Sequence, residues 1–260
     1  MLIAADDRGL AYGDGIFETL RLTAATAPFQ SAHRQRMAAA AKRLNIPFDA
    51  SRFDAEVAEL LKPGEPAVGK IILTRGSGGR GYAPPEHPHS NWIVQRFSLS
   101  LWQEQQRIDG IQLGVCDTRA SDAPHLAGMK HLNRLDQVLA RQQVMRAGWD
   151  EGLMLDATGA VLELTSMNIF ARFGDNLLTP SLHRAGVSGI ARDWVCRQGQ
   201  LSGLSVQEGK LRLLRLREAD EVFACNSVAG ILPVRKLAVW QWQVGEVSRQ
   251  LQQSFDAVFK

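Results

Sequence analysis

The chain has 260 residues, of which 45% are hydrophobic and 22% charged, and its formal net charge is +3. These values fit an ordinary globular protein with a sizeable core. The small positive charge suits anionic small molecules and does not indicate a nucleic-acid partner. No apolar run approaches the roughly 18 residues of a membrane span, and residues 1–7 lack the pattern of a signal peptide. Cys116, Cys196 and Cys225 show no metal or redox spacing, which favours a reducing cytoplasm.

The first half of the chain predicts strands and helices separated by clear turn signals. Residues 6–15 form a glycine-punctuated loop, after which apolar and polar side chains alternate as in a strand. Helical periods follow and end at Pro47 and Pro63. The expected strands are 16–22, 68–74 and 92–101, and the expected helices are 33–44 and 53–61.

The polar stretch 104–110 predicts a linker, so we expect a domain at 1–103 and a second domain at 111–260. In the second domain, Gly148 ends a helix that starts at Lys130, and Ser188 is a plausible N-cap of another helix. Strands and helices mix without a regular βαβ alternation, which predicts an α/β protein of the α+β type. The expected strands are 111–116, 152–155, 161–165, 169–173 and 221–225, and the expected helices are 130–147, 189–198 and one near 247–258.

Lys130 stands just after a glycine at the predicted start of a helix, whose apolar stripe is Leu132, Leu135, Val138, Leu139 and Met145. A lysine there has a fixed base and a long free side chain, so it could reach into a cleft and form a Schiff base. The common alternative is a solvated lysine at a helix start, since most lysines are exposed.

Residues 76–81 satisfy the glycine pattern of a dinucleotide site after a strand. Tyr82-Ala83-Pro84-Pro85 cannot open the helix that such a site needs, so this interpretation is weak. A flexible loop that presents Arg75 and Arg80 to carboxylates is favoured, and an arginine–glycine RNA-binding segment is the poorer alternative. The histidines show no metal spacing and the serines no nucleophile elbow, so no metal site is expected.

Four places could together hold a phosphorylated cofactor. The stretch 188–191 offers backbone amides at a helix N-terminus, and Arg36 can bind phosphate through two parallel donors. Ser227 follows a strand and supplies a hydroxyl. Glu163 lies in a predicted strand, where it either faces solvent, as is common, or pairs with a buried cationic nitrogen.

These motifs carry a resemblance over nearly the whole chain. They are Asp7 to Thr19, His33 to Met37, Glu163 to Phe170, Gly186 to Arg192 and Ala219 to Val234. On these stretches the sequence resembles the class IV aminotransferases, pyridoxal-phosphate enzymes of fold type IV. The resemblance implies a small N-terminal α/β domain, a larger C-terminal domain with a barrel-like sheet, and a homodimer.

The resemblance also implies residue roles. Lys130 would bind pyridoxal 5'-phosphate covalently, and Glu163 would pair with its pyridine nitrogen. The phosphate ligands, the ring-packing residue and the pocket residues follow from the same motifs. The phosphate would be held by Arg36, Ser188, Gly189, Ile190, Ala191 and Ser227; Val187 would pack on the ring; Phe17 and Asn168 would line the pocket; Arg80, and more weakly Arg75, would hold a substrate carboxylate.

The stretches 74–82 and 125–135 favour a lyase subgroup of this family. The resemblance implies conversion of 4-amino-4-deoxychorismate to 4-aminobenzoate and pyruvate, a step towards folate. An aminotransferase for D- or branched-chain amino acids is the first alternative. A cofactor-carrying protein without activity and a nicotinamide-dependent oxidoreductase are the others.

Two features depart from the family pattern. Only six residues precede Asp7, so we expect a first sheet that lacks one edge strand, or a misassigned start. Ser227 also stands where related transferases have threonine.

Overall fold

The computed structural model describes residues 3–260, so Met1 and Leu2, part of the segment predicted not to be a signal peptide, lie outside the described residues. The chain forms two compact units. The first contains the chain up to Ser100 together with Met129–Asn133 and Phe259; the second contains most of the remainder. The expected linker 104–110 is instead the helix α4, Glu104–Asp109, in the second unit.

The first unit is an antiparallel sheet with helices on one face. The strands follow one another in the sheet in chain order, which a β-meander with local connections produces. Asp7 caps the first helix by accepting from two backbone amides, and Asn45 ends the second in the left-handed conformation. The elements are α1 Arg8–Tyr12, β1 Gly15–Leu22, α2 Gln30–Leu44, α3 Ala50–Leu61, β2 Ala67–Thr74 and β3 Asn91–Ser98.

The predicted strands and the two longer helices of this unit are confirmed within a few residues at each end. The predicted loop 6–15 is wrong in part, because Asp7 and the left-handed Gly13 enclose the short helix α1. Along β1 the inner face carries Ile16, Glu18 and Leu20, each 1% exposed. A buried glutamate therefore occupies a position that the alternation assigns to an apolar side chain.

Lys130 does not start a helix. Residues 130–132 run along the open edge of β1, where Phe17 N donates to Lys130 O at 2.9 Å and Leu132 N donates to Gly15 O at 3.0 Å. These backbone groups are used by the strand and cannot make helical bonds, so the helix α5 spans Leu135–Ala147. It ends at a left-handed Gly148, as predicted.

The second unit contains a ten-stranded mixed sheet. Its order is β10-β6-β5-β4-β12-β11-β7-β8-β9, with β13 paired to β12. The strands are β4 Ile111–Val115, β5 Glu151–Leu155, β6 Ala160–Leu164, β7 Asn168–Phe173, β8 Asn176–Pro180, β9 Ser205–Gly209, β10 Leu211–Arg212, β11 Glu221–Asn226, β12 Gly230–Leu237 and β13 Trp240–Gln241; the helices besides α4 and α5 are α6 Ile190–Leu201 and α7 Glu246–Ala257, with a 3₁₀ segment at Leu213–Glu218.

The α/β class is confirmed. The barrel-like sheet is corrected to an open one, because the two end strands of the described sheet, β10 and β9, do not pair with each other. The sequence did not predict β8, β9 or β12. Pro180 and Pro233 argue against strands. In β12 the pairing with β4 begins at Val234, directly after the proline. Within residues 3–260 no helix has the length and apolar character to cross a membrane.

Candidate active site

In the first unit, Lys130 is held beside Phe17. Its Nζ lies 4.5 Å from the centroid of the Phe17 ring, and Lys70 Nζ lies 5.3 Å from the same centroid. The backbone pairing with β1 fixes the base of the lysine, while its side chain extends over an aromatic face. The structure thus brings together two of the residues that the sequence assigned to one pocket.

Arg36 lies on α2 and forms a buried cluster with two residues that the sequence analysis missed. Arg36 Nε donates to Glu18 Oε1 at 2.8 Å, and its Nη2 donates to Oε2 at 2.5 Å. His33 Nδ1 is 2.6 Å from the same Oε2. Glu18 and His33 are each 1% exposed. Glu18 could have been identified from the sequence, because it occupies a position on the apolar face of β1.

The contacts within this cluster determine the protonation states of Glu18 and His33. Burial acts to raise the pKa of Glu18, but the Arg36 guanidinium and the His33 hydrogen bond outweigh it and lower the pKa to about 2. Burial lowers the pKa of His33, although Glu18 opposes the shift. At neutral pH His33 is therefore neutral and its Nδ1–H donates to the Glu18 carboxylate.

Glu163 lies in the middle of β6 and is 5% exposed, so the solvent-facing alternative is wrong. Every residue of β6 is buried, which removes the alternation that would turn Glu163 outwards. Its Oε2 accepts from Val187 N at 2.9 Å, and Asn168 Nδ2 donates to Val187 O at 2.9 Å. Two predicted site residues therefore hold a third by its backbone.

The helix α6 opens next to this cluster. Gly189 is its N-cap, one residue later than predicted for Ser188, and no side chain caps the helix. Within residues 3–260 the amides of Ile190 and Ala191 have no acceptor. A Cβ on Gly189 would lie 2.0 Å from Asn168 Oδ1, so any larger residue would require Asn168 or the helix end to shift. Such a helix end binds anions through its amides and dipole.

Gly128 connects this cluster to the lysine along the chain. Its amide donates to Gly186 O at 3.0 Å, and Ser188 N donates to Gly128 O at 3.0 Å. Gly128 has φ +80°, a left-handed conformation that favours glycine. Lys130 follows only two residues later.

Ser227 lies in the turn between β11 and β12. Asn226 Oδ1 accepts from the amides of Val228 and Ala229 at 2.9 and 2.7 Å, which closes the turn, and Asn226 Nδ2 donates to Ser166 O at 3.2 Å. The strand register places Cys225 opposite Asn168. Ser227 therefore lies in the turn at the end of β11, and β11 pairs with β7, the strand that contains Asn168.

The two arginines of the glycine loop differ. Arg75 is 7% exposed, and its guanidinium donates to both Asp14 carboxylate oxygens and to the carbonyls of Leu44 and Asn45. These bonds occupy the guanidinium and argue against Arg75 as a substrate ligand. The Arg80 side chain is exposed and has no hydrogen bond or ion pair within residues 3–260, so it alone stays a candidate.

These residues fit a phosphorylated pyridine. In the second unit, the α6 amides offer a phosphate site and Glu163 offers a buried carboxylate for a cationic nitrogen. In the first unit, Lys130 offers an amine. No cluster of three His, Cys, Asp or Glu side chains in the described chain has the geometry of a metal site.

Comparison with known proteins agrees with this chemistry. The family model for amino-transferase class IV matches residues 15–237, so the chain belongs to that family. It is 36% identical to an aminodeoxychorismate lyase of Vibrio harveyi, over 95% of this chain and 93% of the relative. It is also 32% identical to a putative branched-chain-amino-acid aminotransferase of Methanocaldococcus jannaschii, over 97% and 90%.

Among solved structures, the chain matches 4-amino-4-deoxychorismate lyase from Pseudomonas aeruginosa with a TM-score of 0.95 and 40% identity. The match covers 99% of this chain and 95% of that one. The mixed α/β fold implied by the family resemblance is thereby confirmed.

Proposed function

We propose that this protein is a pyridoxal-phosphate-dependent lyase that converts 4-amino-4-deoxychorismate to 4-aminobenzoate and pyruvate. The observation that carries the proposal is the arrangement around Lys130. Its amine lies over Phe17, and two residues earlier Gly128 is hydrogen-bonded to the segment that Glu163 and Asn168 hold. The Vibrio and Pseudomonas relatives support the choice of reaction.

Different residues bind different parts of the cofactor and the substrate. Glu163 pairs with the pyridine nitrogen, and Val187 packs on the ring. The phosphate is held by Arg36, Ser188, Gly189, Ile190, Ala191 and Ser227. Bound pyridoxal phosphate supplies an electron-withdrawing ring that stabilises negative charge on the substrate carbon next to the amino group. Arg80 binds the substrate carboxylates, and Phe17 and Asn168 line the pocket.

Lys130 moves the proton. Its Nζ takes the proton from the ring carbon that carries the amino group. The bond from the ring to the enolpyruvyl oxygen then breaks, the ring becomes aromatic, and Lys130 Nζ returns a proton to the departing enolpyruvate, which leaves as pyruvate. One nitrogen thus serves as base and acid, and the gain in aromaticity drives the cleavage.

A branched-chain or D-amino acid aminotransferase is the second candidate, and the name of the Methanocaldococcus relative supports the branched-chain form. An aminotransferase passes the amino group of its substrate to a keto-acid acceptor, whereas the lyase keeps the amino group in 4-aminobenzoate and needs no acceptor. The exposed Arg80 in its glycine loop supplies a guanidinium for one substrate carboxylate.

The test is a paired assay of the purified, cofactor-loaded protein. With 4-amino-4-deoxychorismate we expect 4-aminobenzoate, detected by fluorescence, and an equal amount of pyruvate. With D-alanine or leucine and 2-oxoglutarate we expect no comparable keto-acid formation. Keto acid without 4-aminobenzoate would instead establish the aminotransferase.

A homodimer is also part of the proposal. The apolar stripe of α5 is exposed: Leu135 is 75% and Met145 73% accessible, and Val138 and Leu139 about half. A second copy of the chain would cover this face. Light scattering should give twice the chain mass, and Leu139→Glu should give monomers, while Leu214→Glu, at an exposed leucine elsewhere, should not. A monomeric wild type would contradict the dimer.

We also place the enzyme in the cytoplasm. Its three cysteines are unpaired, and Cys116 and Cys225 are buried, as suits a reducing compartment.

A further inference from the structure

Arg8 uses its guanidinium to hold a loop and not to pair with a ligand. The side chain is 4% exposed. Its Nη1 donates to the carbonyls of Gly78, Gly81 and Ala83 at 3.3, 3.1 and 3.2 Å, and its Nη2 donates to Tyr82 O at 3.0 Å. The planar guanidinium of Arg8 therefore donates to four carbonyl oxygens within the six residues 78–83.

The Arg8 guanidinium is itself held in place by a carboxylate. Arg8 Nε donates to Asp14 Oδ2 at 2.9 Å, and Asp14 is shared with Arg75. Burial acts to raise the pKa of Asp14, but the two arginines outweigh it and lower the pKa, so the carboxylate stays charged at neutral pH. The Arg8 peptide N–H also donates to Gly76 O at 2.9 Å, which ties the backbone to the start of the same loop.

The loop needs such a tether because its own sequence does not define one conformation. Gly76, Gly78, Gly79 and Gly81 all have φ between +59° and +103°. Glycines enter these conformations and leave them at little steric cost, so a free loop would sample many shapes. The ring of Tyr82 packs edge-on against Tyr12 of α1 with centroids 5.4 Å apart, which adds a second tether.

The carbonyls that bind Arg8 lie on both sides of Arg80 in the chain. Gly78 precedes Arg80 by two residues, and Gly81 follows it directly. The backbone on both sides of Arg80 is therefore held by Arg8, while the Arg80 side chain itself stays exposed. We propose that Arg8 is a positioning residue that fixes the loop 76–83 and thereby presents Arg80 to the substrate carboxylates. The inference rests on the proposed function in that Arg80 binds the substrate.

The test compares Arg8→Lys with Arg80→Met and with the double variant. Lysine keeps the charge but lacks the planar fork that reaches four carbonyls. Arg8→Lys should raise KM for 4-amino-4-deoxychorismate by about 10- to 100-fold, as expected when a charge-assisted contact is lost, with kcat within about threefold. In the Arg80→Met background, Arg8→Lys should add no more than about twofold. Arg212→Lys, at an exposed arginine on β10, is the matched control and should change nothing.

A second readout does not use activity. Trypsin should cut the native Arg8→Lys variant after Arg80 at least about tenfold faster than the wild type, while the cofactor absorbance stays the same. An unchanged rate of cleavage at Arg80 would overturn the tether. A KM effect that multiplies with that of Arg80→Met would overturn the positioning role. If the wild type makes no 4-aminobenzoate, the proposed function fails, and the cleavage rate still decides whether Arg8 fixes the loop.

Discussion

Glu18 accepts two hydrogen bonds from the Arg36 guanidinium, at 2.8 and 2.5 Å, while being 1% exposed on the inner face of β1. The pair fixes Arg36 Nε and Nη2 against the Glu18 carboxylate. An arginine held in this way has a fixed orientation, which reduces the entropy that it loses when it binds a phosphate.

Removing the charge of Glu18 should destabilise the protein. Glu18→Gln leaves the Arg36 cation without its buried counter-ion, so the free energy of unfolding of the cofactor-free protein should fall by about 3–5 kcal/mol. Urea denaturation measures it. Glu59→Gln breaks an exposed pair with Lys62 and should cost less than about 1 kcal/mol. Equal losses in the two variants would contradict the role of the buried pair.

Acid should destabilise the fold through His33 and Glu18. Both have a folded-state pKa below the ordinary value, so the unfolded chain binds protons first and stability falls as pH falls. The loss begins below about pH 6.5 through His33 and below about pH 4.5 through Glu18. His33→Gln should reduce the slope between pH 6.5 and 5 by up to about 1.4 kcal/mol per pH unit. An unchanged slope in denaturation at several pH values would show that His33 is not the source.

Gly189→Ala should weaken cofactor binding. The new Cβ would lie 2.0 Å from Asn168 Oδ1 and must displace either the α6 N-terminus or Asn168. We expect the Kd for pyridoxal phosphate, measured by absorbance titration of the cofactor-free protein, to rise about tenfold. Gly209→Ala is the control, because its Cβ meets Leu178 at an ordinary 3.5 Å. Similar Kd values for both variants would exclude α6 as the phosphate site.

Glu163→Gln should separate binding from chemistry. The glutamine oxygen can still accept from Val187 N, so the local backbone is kept, but the negative charge opposite the pyridine nitrogen is lost. We expect kcat to fall by about 10²–10³-fold with cofactor Kd within threefold. Glu218→Gln, at a side chain 61% exposed, is the matched control. A kcat near wild type would place the nitrogen partner elsewhere.

Much of the fold follows from local pattern. The alternation in β1 and the stop signals after α2 and α5 were sufficient to predict these elements, because such signals depend only on neighbours in the sequence. The environment of Lys130 was not predictable, since its backbone pairs with a strand more than 110 residues earlier.

The site was predicted only in part for the same reason. Glu163, Val187 and Asn168 lie together as the motifs implied, whereas Arg75 turned out to be held by Asp14 and two distant carbonyls. The α5 stripe has helical spacing, but periodicity does not say whether a face packs on its own chain or stays exposed.

The most direct test of the account is the identity of the lysine that binds the cofactor. Lys130 and Lys70 both have Nζ near the Phe17 ring, at 4.5 and 5.3 Å from its centroid. The protein loaded with pyridoxal phosphate is reduced with borohydride, digested, and mapped by mass spectrometry. We predict the phosphopyridoxyl group on the peptide containing Lys130, with Lys70 unmodified and no label in Lys130→Ala. Label on Lys70, or full labelling of Lys130→Ala, would contradict the assignment.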